Sequence, residues 1–207
     1  MEIIKIINVL KSKRKIFFSE SDFQFALAWE IQKYYDNAKI RLEYRPNLQE
    51  NAYIDIVINL ENKIYPIELK YKTKSLIVED NNETYYLKNQ GARVIGRHDY
   101  LKDIQRIEGF LKENEKYEYG YAILLTNDNT YWSKNKSGCI DEQFYLNENN
   151  IIKGKLGWSK KAGVGTKKDR EKDIMLRGEY QINWNEFSNF EIKNGEFRYC
   201  LNVIRKS

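Results

Sequence analysis

Tyr53-Ile54-Asp55-Ile56-Val57-Ile58-Asn59-Leu60 and Ile64-Tyr65-Pro66-Ile67-Glu68-Leu69-Lys70-Tyr71-Lys72 are two apolar runs separated by a short polar interval. Both are rich in β-branched and aromatic residues, so both read as strands, and residues 59–63 can turn the chain back antiparallel. Side chains alternate along a strand, so Glu68 and Lys70 leave one side while Ile67 and Leu69 leave the other. The antiparallel return brings Asp55 opposite the Glu68 end. These runs are too apolar for a hairpin with one solvated face, and acids embedded in them need a partner or a metal. Two carboxylates converging on one point suit a hard divalent cation such as Mg²⁺. The plainer reading is a surface hairpin in which Glu68 pairs with Lys70 or a neighbour.

Upstream, residues 2–10 read as a short amphipathic helix, and Glu2, Lys5 and Asn8 break the apolar core that a secretory leader needs. Ser19 is a good N-cap for a helix over residues 20–35, whose apolar stripe of Leu27, Ile31 and Tyr34 has Glu20 and Gln24 at its centre. Glu20 therefore faces the expected core, although an acid in the first turn also complements the helix dipole. Glu30 lies nearer the edge of the stripe and reads as a solvated or salt-bridged acid. A strand over residues 40–44 and a polar loop over residues 47–51 follow. Downstream, an acidic loop near residues 79–83 precedes a helix capped by Asp99, with Tyr100, Ile104, Ile107 and Leu111 at helical spacing. Residues 119–126 then form an unbroken apolar strand of the kind covered on both faces.

This arrangement resembles the PD-(D/E)xK nuclease superfamily, the fold of many restriction and repair endonucleases, with Asp55, Glu68 and Lys70 in the motif positions and Ile54 in place of its proline. The resemblance spans residues 16–128. It implies an α/β fold with a restriction-endonuclease-like αβββαβ core, a mixed central sheet flanked by helices. It implies a Mg²⁺- or Mn²⁺-dependent endonuclease acting on nucleic acid, DNA before RNA, in restriction or host defence. Asp55, Glu68 and Glu20 would hold the metal, Glu20 directly or through water. Lys70 would orient the attacking water or stabilise the phosphorane, its basicity lowered by the neighbouring cation. Gln24, Lys72, Lys74, Gln90 and Arg93 are the candidates for lining the site or meeting the nucleic acid. A homodimer is the natural form for cutting both strands of a duplex with one site per chain. The alternative is a catalytically silent nuclease-like module that binds nucleic acid or protein.

Composition narrows the field further. The chain has 207 residues, 42% hydrophobic and 31% charged, with a formal net charge of +5 that favours an acidic partner. Its single histidine, His98, argues against His-Asn-His, HD, zinc-hydrolase and Ser-His-Asp chemistry, which need more than one imidazole or a motif that the residues around His98 lack, and this leaves carboxylates and lysine as the reactive groups. Cys139 and Cys200 are far apart and lack CxxC spacing, which points to a reducing, cytoplasmic setting. No run approaches the roughly 18 apolar residues of a membrane span. The expected organisation is a nuclease core over residues 1–128 and a β-rich extension of the same domain over residues 129–207. The extension carries strands near 143–146, 175–184 and 197–204. A mobile basic loop over residues 155–172 has glycines among lysines without P-loop spacing.

Overall fold

The computed structural model describes residues 1–45, 53–113 and 115–206. In chain order they form α1 (Ile3–Lys13), α2 (Glu20–Tyr34), β1 (Lys39–Tyr44), β2 (Ile54–Leu60), β3 (Lys63–Lys72), β4 (Leu76–Asp80) and β5 (Glu83–Leu87). Then come α3 (Arg93–Glu113), β6 (Tyr119–Thr126), a 3₁₀ turn (Glu142–Phe144), β7 (Ile151–Leu156), the single turn α4 (Val164–Lys167), β8 (Ile174–Gln181), β9 (Trp184–Asn189) and β10 (Glu196–Arg205). Six strands make one mixed sheet in the order β1-β2-β3-β6-β10-β9, in which only β3 and β6 run parallel. A parallel neighbour requires a crossover, and α3 supplies it.

The hairpin at the centre of the sequence argument forms through Glu61 and Asn62, with φ of 52° and 65°, between the paired residues Leu60 and Lys63. Two consecutive left-handed residues make the tight turn whose twist matches that of the strands. The sheet is covered on both faces. On one side α1 and α2 pack Ile6, Leu10, Phe23 and Leu27 against Ile56, Ile67, Leu69 and Tyr71. On the other, α3 packs Tyr100, Ile104 and Ile107 against Ala122 and Leu124, together with the β7–β8 hairpin. The approach of α3 to β6 is close: a Cβ on Gly120 would lie 2.1 Å from Ile107 Cγ2.

Several expected boundaries move. The acidic stretch near residues 79–83 is the turn of a second hairpin, β4–β5, in which Asn81 and Asn82 take φ of 52° and 64°. The helix expected to begin after a cap at Asp99 starts at Arg93 instead, so Asp99 lies within α3 and Gln90 precedes it. Residues 143–146 are not a strand, because Phe144 anchors a 3₁₀ turn. The single strand expected over 175–184 is divided between β8 and β9. Basic residues 155–172 are held by α4 and by Arg170, whose Nε and Nη2 lie 2.8 and 3.0 Å from the Asp99 carboxylate. The polar loop expected over residues 47–51 lies outside the described residues.

Candidate active site

The site forms where β2 leaves β3. Main-chain pairing between them ends at Ile56 and Ile67. Beyond that point the Leu69 and Tyr71 N–H groups have lost their strand partner, and an amide buried without an acceptor is costly. Carboxylates take the place of the strand. Leu69 N donates to Asp55 Oδ2 at 2.5 Å, and Tyr71 N donates to Glu20 Oε2 at 2.7 Å. Glu20 reaches this point because Ser19 caps α2, its hydroxyl accepting from Asp22 N, which places Glu20 in the first turn. One turn on, Gln24 Nε2 donates to the Asp55 carbonyl at 2.6 Å and to Glu43 Oε1 at 2.8 Å. Glu43 has a left-handed φ of 49°, an uncommon conformation for a side chain other than glycine, beside the site.

Strand alternation turns Glu68 and Lys70 toward α3, which meets them with Asp103 and Arg106. Lys70 Nζ lies 2.7 Å from Asp103 Oδ2, as an ion pair without an aligned hydrogen bond. Arg106 spans both acids. Its Nη1 is 2.7 Å from Glu68 Oε1 and its Nη2 is 2.9 Å from Asp103 Oδ1. The planar guanidinium fork suits such a bridge. Neither Asp103 nor Arg106 figured in the sequence reading. The signal was present: Asp99, Asp103 and Arg106 recur at i, i+4 and i+7 along the flank of the apolar stripe of α3.

The electrostatics follow from burial and charge count. Glu20, Asp55, Glu68 and Asp103 interact with Lys70 and Arg106, so four carboxylates face two cations. Burial pushes the Asp55 carboxyl up to about 6, with Asp103 and Glu20 adding to the rise while Lys70 and the Leu69 amide oppose it. Burial, then the Asp103 carboxylate, raises Glu68 well above its ordinary value against the pull of Arg106. Burial alone would lower Lys70, but Asp103, Glu20 and Asp55 outweigh it and raise it. Among the protein's own groups the shift in Lys70 is thus upward, and the lowering expected from a bound cation would act against it.

The other candidates fall outside this knot. Lys72, at the end of β3, runs beside α3, its Cε 3.8 Å from where a Gly96 Cβ would lie. Lys74 lies past the strand and pairs with Asp128 at 3.0 Å. Gln90 and Arg93 are exposed, and the Gln90 amide tethers the return of the chain to the Thr73 carbonyl at 2.8 Å. Glu30 is buried away from the site and pairs with Lys13 and Lys33.

Among the described residues no group of three or more His, Cys, Asp and Glu side chains is preassembled for a metal ion. The donor set is nonetheless of the right chemistry. Carboxylate oxygens suit Mg²⁺ or Mn²⁺, and the excess of two negative charges in a desolvated corner calls for protons or a divalent cation. Among the described residues no helix is long and apolar enough to cross a membrane. Compared with known proteins, the chain matches no family model and no curated relative.

Proposed function

We propose that this protein is a metal-dependent phosphodiesterase with a restriction-endonuclease-like core, an endonuclease acting on nucleic acid, with DNA as the first substrate to try. The observation that carries this reading is that Asp55 and Glu20 take up the β3 amides on either side of Lys70 where β2 and β3 part, with Glu68 interacting with Asp55 and Lys70 and negative charge in excess. Asp55, Glu68 and Glu20 would hold Mg²⁺ or Mn²⁺, which when bound lowers the pKa of a water and neutralises charge on the phosphate. Lys70 stays an ammonium across the ordinary pH range, so its part is to donate: it orients the attacking water or stabilises charge building on the phosphate. Asp103 holds that ammonium in an ion pair, and Lys70 Nζ donates to the Leu69 carbonyl at 3.1 Å. Lys72 beside α3, Arg93 at its start and the basic segment tied to Asp99 by Arg170 would favour a polyanion approaching from the α3 side. Cutting both strands of a duplex would call for a second copy of the chain.

The test is cleavage of plasmid, linear duplex, single-stranded DNA and RNA with Mg²⁺, Mn²⁺ or EDTA, run beside Lys70→Ala and Asp55→Asn. Metal-dependent cutting by the wild type, lost in both variants while nucleic-acid binding persists, is the expected outcome. Equal activity in both variants would refute the assignment. A second reading has its own observation: Arg106 and Lys70 already neutralise Glu68 and Asp103, as they would in a silent module that only binds. Such a module would show no stabilisation by Mn²⁺ that depends on Asp55 or Glu68.

A further inference from the structure

Glu68 is buried, and its carboxylate is paired with Arg106. The Glu68 side chain is 1% exposed and the Arg106 side chain 29%. The guanidinium is held at three points, by Glu68 Oε1, Asp103 Oδ1 and the Tyr53 carbonyl at 3.2 Å. Two of these contacts are to carboxylates that would otherwise stand in a corner with excess negative charge. A cation carried by the chain thus stands against the acid that a divalent cation needs.

We propose that Arg106 is a resident counter-cation which a divalent metal must displace from Glu68, so that Arg106 sets the metal affinity of the site. This inference rests on the metal-binding reading above but concerns a residue which that reading does not require. The geometry gives the exchange a definite course. Asp55 and Glu20 are anchored to main-chain amides of β3, whereas Glu68 is anchored to a side chain on a neighbouring helix. When Arg106 lets go, Glu68 is freed without any loss of sheet pairing. The released guanidinium keeps Asp103 as its tether, three residues back on the same helix turn. It therefore stays within the site, where it can meet a phosphate oxygen.

The test is direct Mn²⁺ binding, followed by calorimetry and by the spin-resonance signal of the free ion. It uses the full chain as wild type, Arg106→Ala, Arg106→Gln and Glu68→Gln. Loss of the guanidinium charge is expected to tighten Mn²⁺ binding by about tenfold or more, equivalent to about 1.4 kcal/mol. Arg106→Gln keeps a hydrogen-bonding group at the same place and should move in the same direction, and it decides the matter if Arg106→Ala does not fold. Glu68→Gln should abolish binding in every background. If Glu68→Gln abolishes binding but neither Arg106 variant tightens it, the counter-cation role is overturned while the metal site stands. If neither the wild type nor the Arg106 variants bind Mn²⁺, the metal-site reading itself fails and this inference fails with it. Binding that appears only in the Arg106 variants would support the proposal in its strongest form.

Discussion

Replacing Asp55 with asparagine should make the metal-free protein more stable at neutral pH, although Asp55 is one of the acids proposed to hold the metal. In the fold its carboxyl titrates at about 6, against an ordinary 3.8. Between those values the folded chain retains a proton that the unfolded chain has released, so stability falls as pH rises through that window. A displacement of roughly two units, at about 1.4 kcal/mol each, comes to about 3 kcal/mol above pH 6. Asparagine removes the charge yet keeps a carbonyl oxygen for the Leu69 N–H, which lies 2.5 Å from Oδ2. In a chain of this size about 3 kcal/mol corresponds to a Tm gain of about 6–12 °C. Thermal melts of both proteins in EDTA from pH 4 to 8 are the assay. The difference should be near zero at the acid end, open between pH 4 and 6, and then hold level. Mg²⁺ should narrow or reverse it, because only the wild type retains that ligand charge. A variant less stable than wild type at pH 7.5 in EDTA, or a gain independent of pH, would refute the reasoning.

Other perturbations probe how the site is held. Glu108→Ala strips the acceptor from the Arg177 and Gly178 amides and the Tyr180 hydroxyl, all within 3.0 Å of the carboxylate. It should cost about 3 kcal/mol by urea unfolding, and a loss under about 1 kcal/mol would mean that water replaces the carboxylate. Gly120→Ala drives a methyl into Ile107 and should cost about 1–3 kcal/mol by the same measurement. In an active enzyme it should also lower cleavage, since α3 carries Asp103 and Arg106; unchanged stability would show that the helix yields freely. Asp99 is lowered: burial would raise it, but His98 and Arg170 outweigh burial. Its contribution is present above its unfolded value of 3.8 and is lost as pH falls below that. Proteolysis within residues 157–173 should therefore rise in Arg170→Ala at neutral pH, and amide protection there, taken relative to the intrinsic exchange rate, should fall in the wild type near pH 3. Unchanged protection in both would show that the ion pair does not hold the segment.

Legibility in the sequence followed how local each determinant is. The cap at Ser19, the unbroken run of β6 and the alternation that aims Glu68 and Lys70 to one side depend on neighbours a few residues away. The β4–β5 hairpin was hidden because Glu79, Asp80 and Glu83 looked like a solvated loop. The telling feature was Asn81-Asn82, a pair tolerant of the left-handed region, between Leu76-Ile77-Val78 and Thr84-Tyr85-Tyr86-Leu87. The start of α3 was missed because Asp99 has the chemistry of a cap, but its carboxylate is committed to Arg170. Asp103 and Arg106 were out of reach for a different reason. Their importance comes from a crossover that lays α3 over β3, so they face Glu68 and Lys70 across more than 30 residues of sequence. Charged residues on a helix flank look alike whether they meet solvent or a buried acid.

The acids of this corner belong to the sheet as much as to any chemistry, and this governs which variants can separate the two roles. Asp55 and Glu20 terminate the pairing of β3 by accepting from Leu69 and Tyr71. Alanine at either position removes a charge and also strands a buried amide, and at Asp55, whose charge is disfavoured by burial, the two effects have opposite sign on stability. Their sum can be near zero while each is large, so a neutral alanine result says nothing about the site. The amide variants keep the acceptor and remove only the charge. Glu68 differs, because its bonded partner is the Arg106 guanidinium. Glutamine there leaves that cation beside one remaining acid, Asp103, and the local imbalance becomes smaller. Asp55→Asn and Glu68→Gln should therefore both stabilise the metal-free fold at neutral pH, while Glu20→Ala and Asp55→Ala fall below the matching amide variants by about 1–3 kcal/mol each. Urea unfolding of alanine and amide pairs at the same positions measures that gap. An amide variant no more stable than its alanine partner would show that the carboxylates do not carry the end of the strand.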